Sequence, residues 1–255
     1  MRVRSVSGTS FNSRSKNAGF RYTSPSHQMS VKRSHINPLE VPNYTVEEAS
    51  RYLHVGLSTL RYWLIGSAKV APLSTVFVRD PMLLSFKNLV ECYVLEGLRL
   101  THGVSLQSIR SSVEDLRVRT TSKYPLADHQ LGTVGNTIYL EDESEPLLEL
   151  GSGGQQVFKA ILEPFLKRVE RDEKGLARMF PFTRKEHLRS PSDAPRVVVI
   201  DPSVAFGMPV LVNSRISTAF LRSRNRGGAS ISQLAADYGR SEAEIEEAIK
   251  LEEAA

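Results

Sequence analysis

A mainly helical α+β fold is what this sequence predicts, and three observations predict it. Short capped segments with helical apolar spacing recur at both ends of the chain, and β-branched runs broken by Gly, Asn or Pro lie between them. The 255 residues, 40% of them hydrophobic, suffice for one large or two smaller packed domains.

Charge divides the chain before any element is assigned. Residues 1–40 hold seven cations against Glu40 alone, a net of +6 in a chain of net +5. This Ser-, Asn- and Arg-rich stretch has too little aliphatic surface to offset its ordering entropy, so a disordered basic tail is expected there. It reads either as a phosphate-scanning arm or as a solubilising extension. The body then runs +3 over 41–125, −3 over 126–195 and −1 over 196–255, and these are the expected domain boundaries. A positive first module followed by acidic ones puts nucleic acid at the first.

In the first module Thr45 and Glu48 form a capping box, and Val46, Ala49, Tyr52 and Leu53 share one face of the helix it opens. That helix should end near His54, with Gly56 supplying the tight turn and Ser58 capping a second helix closed by Gly66. Two short helices about a three-residue turn make a helix-turn-helix. Leu60, Trp63 and Leu64 form the inner stripe of the second helix, leaving Thr59, Arg61 and Tyr62 to face base edges and phosphates or simply solvent.

The string Tyr44-Thr45-Val46-Glu47-Glu48-Ala49, with Leu53, Val55 and Ser58-Thr59-Leu60-Arg61-Tyr62-Trp63 after it, resembles the opening of a MerR-like winged helix-turn-helix domain. The strand-like run Val76-Phe77-Val78 suits the wing, and Leu84 to Leu89, a helix through Leu100, then Gly103 to Leu106 and Ile109-Arg110 keep the family's order to about residue 120. The resemblance implies that Ser58, Thr59, Arg61 and Tyr62 lie at the DNA groove and that Lys69 and Arg79 on the wing hold flanking phosphates. The long dimerising coiled coil and the cysteine cluster of metal-sensing members are missing from this sequence, so metal or drug sensing is not expected.

The middle segment predicts a β-hairpin across Gly135-Asn136, from Leu131 to Leu140, and a helix from Gln155 to Glu170 with a kink at Glu163-Pro164. Gly151-Ser152-Gly153-Gly154 lacks the Lys-Ser/Thr of a phosphate loop and reads as a flexible connection. In the last module the run Arg196–Ile200 predicts a strand ending at Asp201-Pro202. Three helices follow, Thr218 to Arg226, Ser230 to Tyr238 and Ser241 to Glu253, the last opened by the capping box Ser241/Glu244. That last helix is too acidic for a DNA groove and reads as a protein-binding or dimer surface.

The pattern Asp201-Pro202, Gly207-x-Pro209-Val210, Arg215-Ile216, Gly228-x-Ser230-Ile231, Leu234-Ala235-x-Asp237-Tyr238, Glu244 and Glu247-Ala248-Ile249 is similar to the C-terminal domain of VapB-type antitoxins. The toxin partners of that family are PIN-like ribonucleases. The chain departs from it at Asn213-Ser214, where Gly-Thr is common before the arginine. The resemblance implies an antitoxin that binds such a toxin and represses its own operator DNA as a homodimer. Arg215 reads either as a partner contact, forking onto carboxylates, or as an internal pair with Asp201 or Asp237. Arg222, Arg224 and Arg226 are a candidate partner patch or a solvated helix face.

Other classes are not expected. The six histidines have no metal spacing, Cys92 sits in an apolar helix, and no nucleophile elbow, P-loop or paired-carboxylate motif occurs, so neither an enzyme nor a cofactor or metal site is expected. A single cysteine and the lack of any apolar run near 20 residues point to a cytoplasmic chain that enters no membrane. The alternative function is a stand-alone MerR-like regulator whose last module only dimerises.

Overall fold

The first helix begins where its capping box sets it. In the computed structural model, which describes residues 37–76, 78–100, 105–134, 137–140, 146–149 and 163–254 (for 78–79, 132–134, 137–140 and 146–149 the backbone alone), α1 spans Val46–Leu53. Thr45 Oγ1 accepts from the Glu48 amide at 3.1 Å and Glu48 Oε2 accepts from the Thr45 amide at 2.8 Å. The basic tail expected over 1–40 lies outside the described residues up to Ile36.

Between α1 and α2 (Leu57–Ile65) the turn differs from expectation. His54, not Gly56, takes the left-handed conformation (φ 55°), while Gly56 sits at φ −58° as the N-cap of α2 and Ser58 falls inside its first turn. The cause is tertiary: the His54 ring places Nε2 2.8 Å from the Phe182 carbonyl, a contact 128 residues away in sequence. Gly66 closes α2 as expected, at φ 75°, and a Cβ there would meet the Val70 carbonyl oxygen at 2.1 Å, so only glycine fits.

Strands β1 (Tyr44–Thr45), β2 (Val78–Arg79) and β3 (Met82–Leu84) form an antiparallel sheet in the order β1-β3-β2. The expected strand run starts late, since Val76 is buried ahead of β2 and Phe77 lies outside the described residues. Helix α3 (Phe86–Leu100) is buried on all sides from Phe86 to Leu98 and is the central post of this half, flanked by α1, α4 (Leu106–Thr120) and α5 (Pro125–Asp128). Several of its buried polar groups are partnered: Lys87 Nζ reaches Glu40 at 2.9 Å and Asp128 at 2.8 Å, and Glu91 accepts from Ser74 Oγ at 2.6 Å.

The middle hairpin forms as expected from β4 (Leu131–Val134) and β5 (Thr137–Leu140), though its Gly135-Asn136 turn lies outside the described residues. A third strand, β6 (Pro146–Glu149), adds to β5. The glycine run 151–154 and the helix start at 155–162 also lie outside them. The helix expected through Glu170 stops at Leu166, and its described part is α6 (Glu163–Leu166). Val169–Asp172 is instead strand β7, paired with β8 (Gly175–Met179) across a turn whose Gly175 takes φ 104°. The buried Arg168 guanidinium fixes the switch by donating to the carbonyls of Phe180 (3.3 Å), Pro195 (3.2 Å) and Ala194, and it stacks on Phe182.

The last segment contributes the two-stranded pair β9 (Val198–Val199) and β10 (Val210–Leu211), with Ile200 bridging to Met179. Helices α7 (Thr218–Arg226), α8 (Ile231–Tyr238) and α9 (Glu242–Glu253) follow, within a residue of the expected bounds, and α8 and α9 both open on capping boxes. Asn213 takes φ 58°, a conformation asparagine tolerates as glycine does, so the Asn-Ser departure keeps the turn.

Helix α9 buries one side, with Ile245, Ala248, Ile249, Leu251 and Glu252 enclosed, and leaves Glu242 and Glu253 exposed. It packs against α7, α8 and α1, and several of its acids have partners within the chain: Arg184 holds Glu246 at 2.9 Å and Glu247 at 2.7 Å, and the buried Glu252 accepts from Thr218 Oγ1 at 2.5 Å beside Arg51. One contiguous core runs from Tyr44 to Leu251, and residues 36–255 form one compact unit, mainly helical with small antiparallel sheets. Among the described residues no helix is long and apolar enough to cross a membrane.

Candidate nucleic-acid interface

Burial sorts the side chains of α2. Leu60, Trp63 and Leu64 are fully enclosed, which turns Ser58, Arg61 and Tyr62 outward with Thr59 at the margin. No acid occurs on α2, and Glu47 on α1 pairs with Arg61 at 3.1 Å, with both side chains about half exposed (55% and 54%). An exposed pair of this kind is worth well under about 1 kcal/mol and exchanges readily for a phosphate partner. Tyr62 lies under the Arg110 guanidinium, 4.9 Å from ring centroid to Cζ.

Behind the exposed end of α2 the chain makes the tight Ser67–Val70 turn that carries exposed Lys69. It then returns along α2, where the Trp63 carbonyl accepts from the amides of Leu73 (2.7 Å) and Ser74 (3.3 Å). Arg110 donates to the Ala71 carbonyl at 2.5 Å, and Arg117 donates to those of Pro72 (3.4 Å) and Leu73. From this strap rises the β2–β3 hairpin, pinned to β1 ahead of α1. Arg79 stands on β2, with its side chain outside the described residues.

The partner residues expected at the other end separate into two pairs. Arg222 donates to the Glu252 carbonyl, and Arg224 binds Asp237 at 2.8 Å and Tyr238 Oη at 2.9 Å, so both serve the packing of α7 on α8 and α9. Arg215 and Arg226 are exposed and form no ion pair among the described residues. Among the described residues Arg215 pairs with neither Asp201 nor Asp237: Asp237 is engaged by Arg224, and Asp201 accepts from Ser203.

Sequence reasoning passed over Phe206, which is 91% exposed at the tip of a turn where Ala205, Phe206 and Gly207 all have positive φ. The turn is held from beneath by Asn43 Nδ2 donating to the Phe206 carbonyl (2.7 Å) and the buried Tyr44 hydroxyl donating to that of Gly207 (2.8 Å). Also unforeseen is a cleft of about 850 Å³ between the α1–α2 turn, Thr183–Glu186 and the end of α9. On its wall burial holds the His54 imidazole below its usual pKa, favouring the neutral ring that the Phe182 carbonyl partners. Neither feature carries a sequence signal, because both depend on contacts between distant segments.

Known proteins share parts of this arrangement. A family model described as "Protein of unknown function (DUF433)" matches residues 198–250. The chain is 29% identical over 233 residues to a Mycobacterium tuberculosis protein named "Putative antitoxin VapB45", covering 82% of this chain and 93% of that one. It is 31% identical over 122 residues to a Mycobacterium tuberculosis protein named "Uncharacterized HTH-type transcriptional regulator Rv1830", covering 48% and 53% of the two. The crystal structure of Rv2018 from the same organism superposes with a TM-score of 0.58 at 22% identity, over 83% of this chain and 99% of that one. The chain shares its fold with that structure, and its residues 198–250 match the DUF433 pattern.

Proposed function

We propose that the chain is a DNA-binding antitoxin, which silences a PIN-like ribonuclease toxin and, as a homodimer in the cytoplasm, represses the operator of their shared operon. The observation that carries the DNA half is the acid-free outer face of α2. Ser58, Thr59, Arg61 and Tyr62 suit a major groove as a MerR-like recognition helix, and Lys69 and Arg79 suit phosphates on either side as turn and wing. Residues 41–125 are the DNA module in this reading, 126–195 the connector and 196–255 the VapB-type partner module.

The antitoxin half is supported by the likeness to the antitoxin-named relative along most of both chains. Of the four arginines expected at the toxin, Arg215 and Arg226 are free to meet acidic groups of a partner, whereas Arg222 and Arg224 act by shaping the surface. Co-expression with the neighbouring short reading frame, read by pull-down and growth, tests this half. Co-purification with rescue of a toxic neighbour is expected, and a neighbour that is neither bound nor toxic contradicts it. A stand-alone regulator is the second reading, favoured by the regulator-named relative that matches only about half of each chain.

A further inference from the structure

We infer that Arg110 is a positioning residue of the DNA-binding face, setting the distance between α2 and the root of the hairpin. The inference rests on the DNA-binding reading above. Residues 66–76 hold no helix or strand between α2 and β2, so the place of the hairpin root depends on contacts that other elements make with that segment. Its carbonyls at 71, 72 and 73 are all received by two arginines on α4, Arg110 and Arg117, which are seven residues and two turns apart on one face. Its amides at 73 and 74 are received by the last turn of α2 through the Trp63 carbonyl. The strap is thus tied to α2 and to α4, and further along, at Ser74 and Thr75, to Asn88 and Glu91 of α3.

Arg110 is the one of these residues that also touches the outer face of α2. Its guanidinium donates to the Ala71 carbonyl while it sits over the Tyr62 ring. A planar fork can do both at once, whereas an ammonium is a point charge that cannot. Tyr62, Arg110 and Ala71 therefore form a bridge from recognition helix to strap, and groove and phosphate contacts made by separate elements depend on such a spacing.

The test measures affinity of the full chain for duplex DNA from upstream of its own gene, at several salt concentrations, for the wild type, R110A, R110K, Y62A and the double variant Y62A/R110A. R110A should weaken binding by about tenfold without changing the salt slope. R110K should bind no better than R110A, and the double variant should be no weaker than its weaker parent. Affinity restored by lysine, or a slope reduced by about one unit in R110A, marks a direct phosphate contact and overturns the positioning role. Additive losses overturn it too. A wild type that binds no DNA removes the reading beneath, a result distinct from a wild type that binds and an R110A that binds equally. R110K keeps charge and length, so it reports even where R110A folds poorly.

Discussion

The helix pairs α1–α2 and α8–α9 are close in plan and opposite in chemistry. Each opens on a capping box, turns through a left-handed residue (His54 and Gly239) and leads into a helix with a buried apolar stripe. The second helix of the first pair presents a hydroxyl, a guanidinium and a phenol without an acid, while that of the second pair carries Glu242, Glu244, Glu246, Glu247, Glu252 and Glu253 and is packed into the molecule. A helical hairpin is therefore not by itself a nucleic-acid reader. What distinguishes the two is whether the second helix carries acids of its own.

Breaking the packing of α9 should give the largest effect. Glu252→Ala removes the acceptor of Thr218 and the partner of Arg51 on α1, so urea unfolding should show a loss of about 3 kcal/mol. Stability within about 0.5 kcal/mol of the parent would mean that the two pairs are held together by apolar contact alone.

The N-terminal pair stands on a buried acid of another kind. Burial pushes the Glu91 carboxyl up to about 8 from 4.5, despite the Ser74 hydroxyl and the nearby Arg117 charge. Below about pH 4.5 the group is protonated folded or unfolded and has no effect. As pH rises from there to about 8 only the unfolded chain releases the proton, so stability falls across that window and levels off above it. Glu91→Gln should flatten this part of the stability profile in denaturant titrations, and an unchanged slope would contradict the assignment.

Arg61→Ala sharpens the comparison at the surface. It should weaken DNA binding about tenfold and lower the salt slope by about one unit, while Glu246→Gln on α9 should leave both unchanged. Equal effects of the two would erase the distinction between the pairs. The smallest effect concerns the left-handed residues: Phe206→Asn keeps a conformation that asparagine tolerates, so the melting temperature should rise slightly, by roughly 0.5 kcal/mol of stability. A drop would show that the exposed ring is held by contacts within the chain.

Local signals were legible in the residues and tertiary ones were not. Thr45/Glu48 and Ser241/Glu244 marked their helix starts because a capping box is complete within four residues. The left-handed His54, the switch from helix to strand after Leu166 and the exposed tip at Phe206 each depend on a partner far away in sequence: the Phe182 carbonyl, the Arg168 carbonyl cage and the Asn43–Tyr44 pair. The same limit applied to the site. The outward set on α2 followed from helical spacing, yet which of the C-terminal arginines remain free depended on the positions of Asp237 and Glu252.

The most direct measurement is the affinity of the full chain for duplex DNA from upstream of its own gene as salt is raised. The account predicts tight binding that weakens steeply and linearly in log salt, with a shallower slope for Arg61→Ala. Binding that is absent, or present with a slope that Arg61→Ala leaves untouched, would contradict the assignment of α2 as the face that meets DNA.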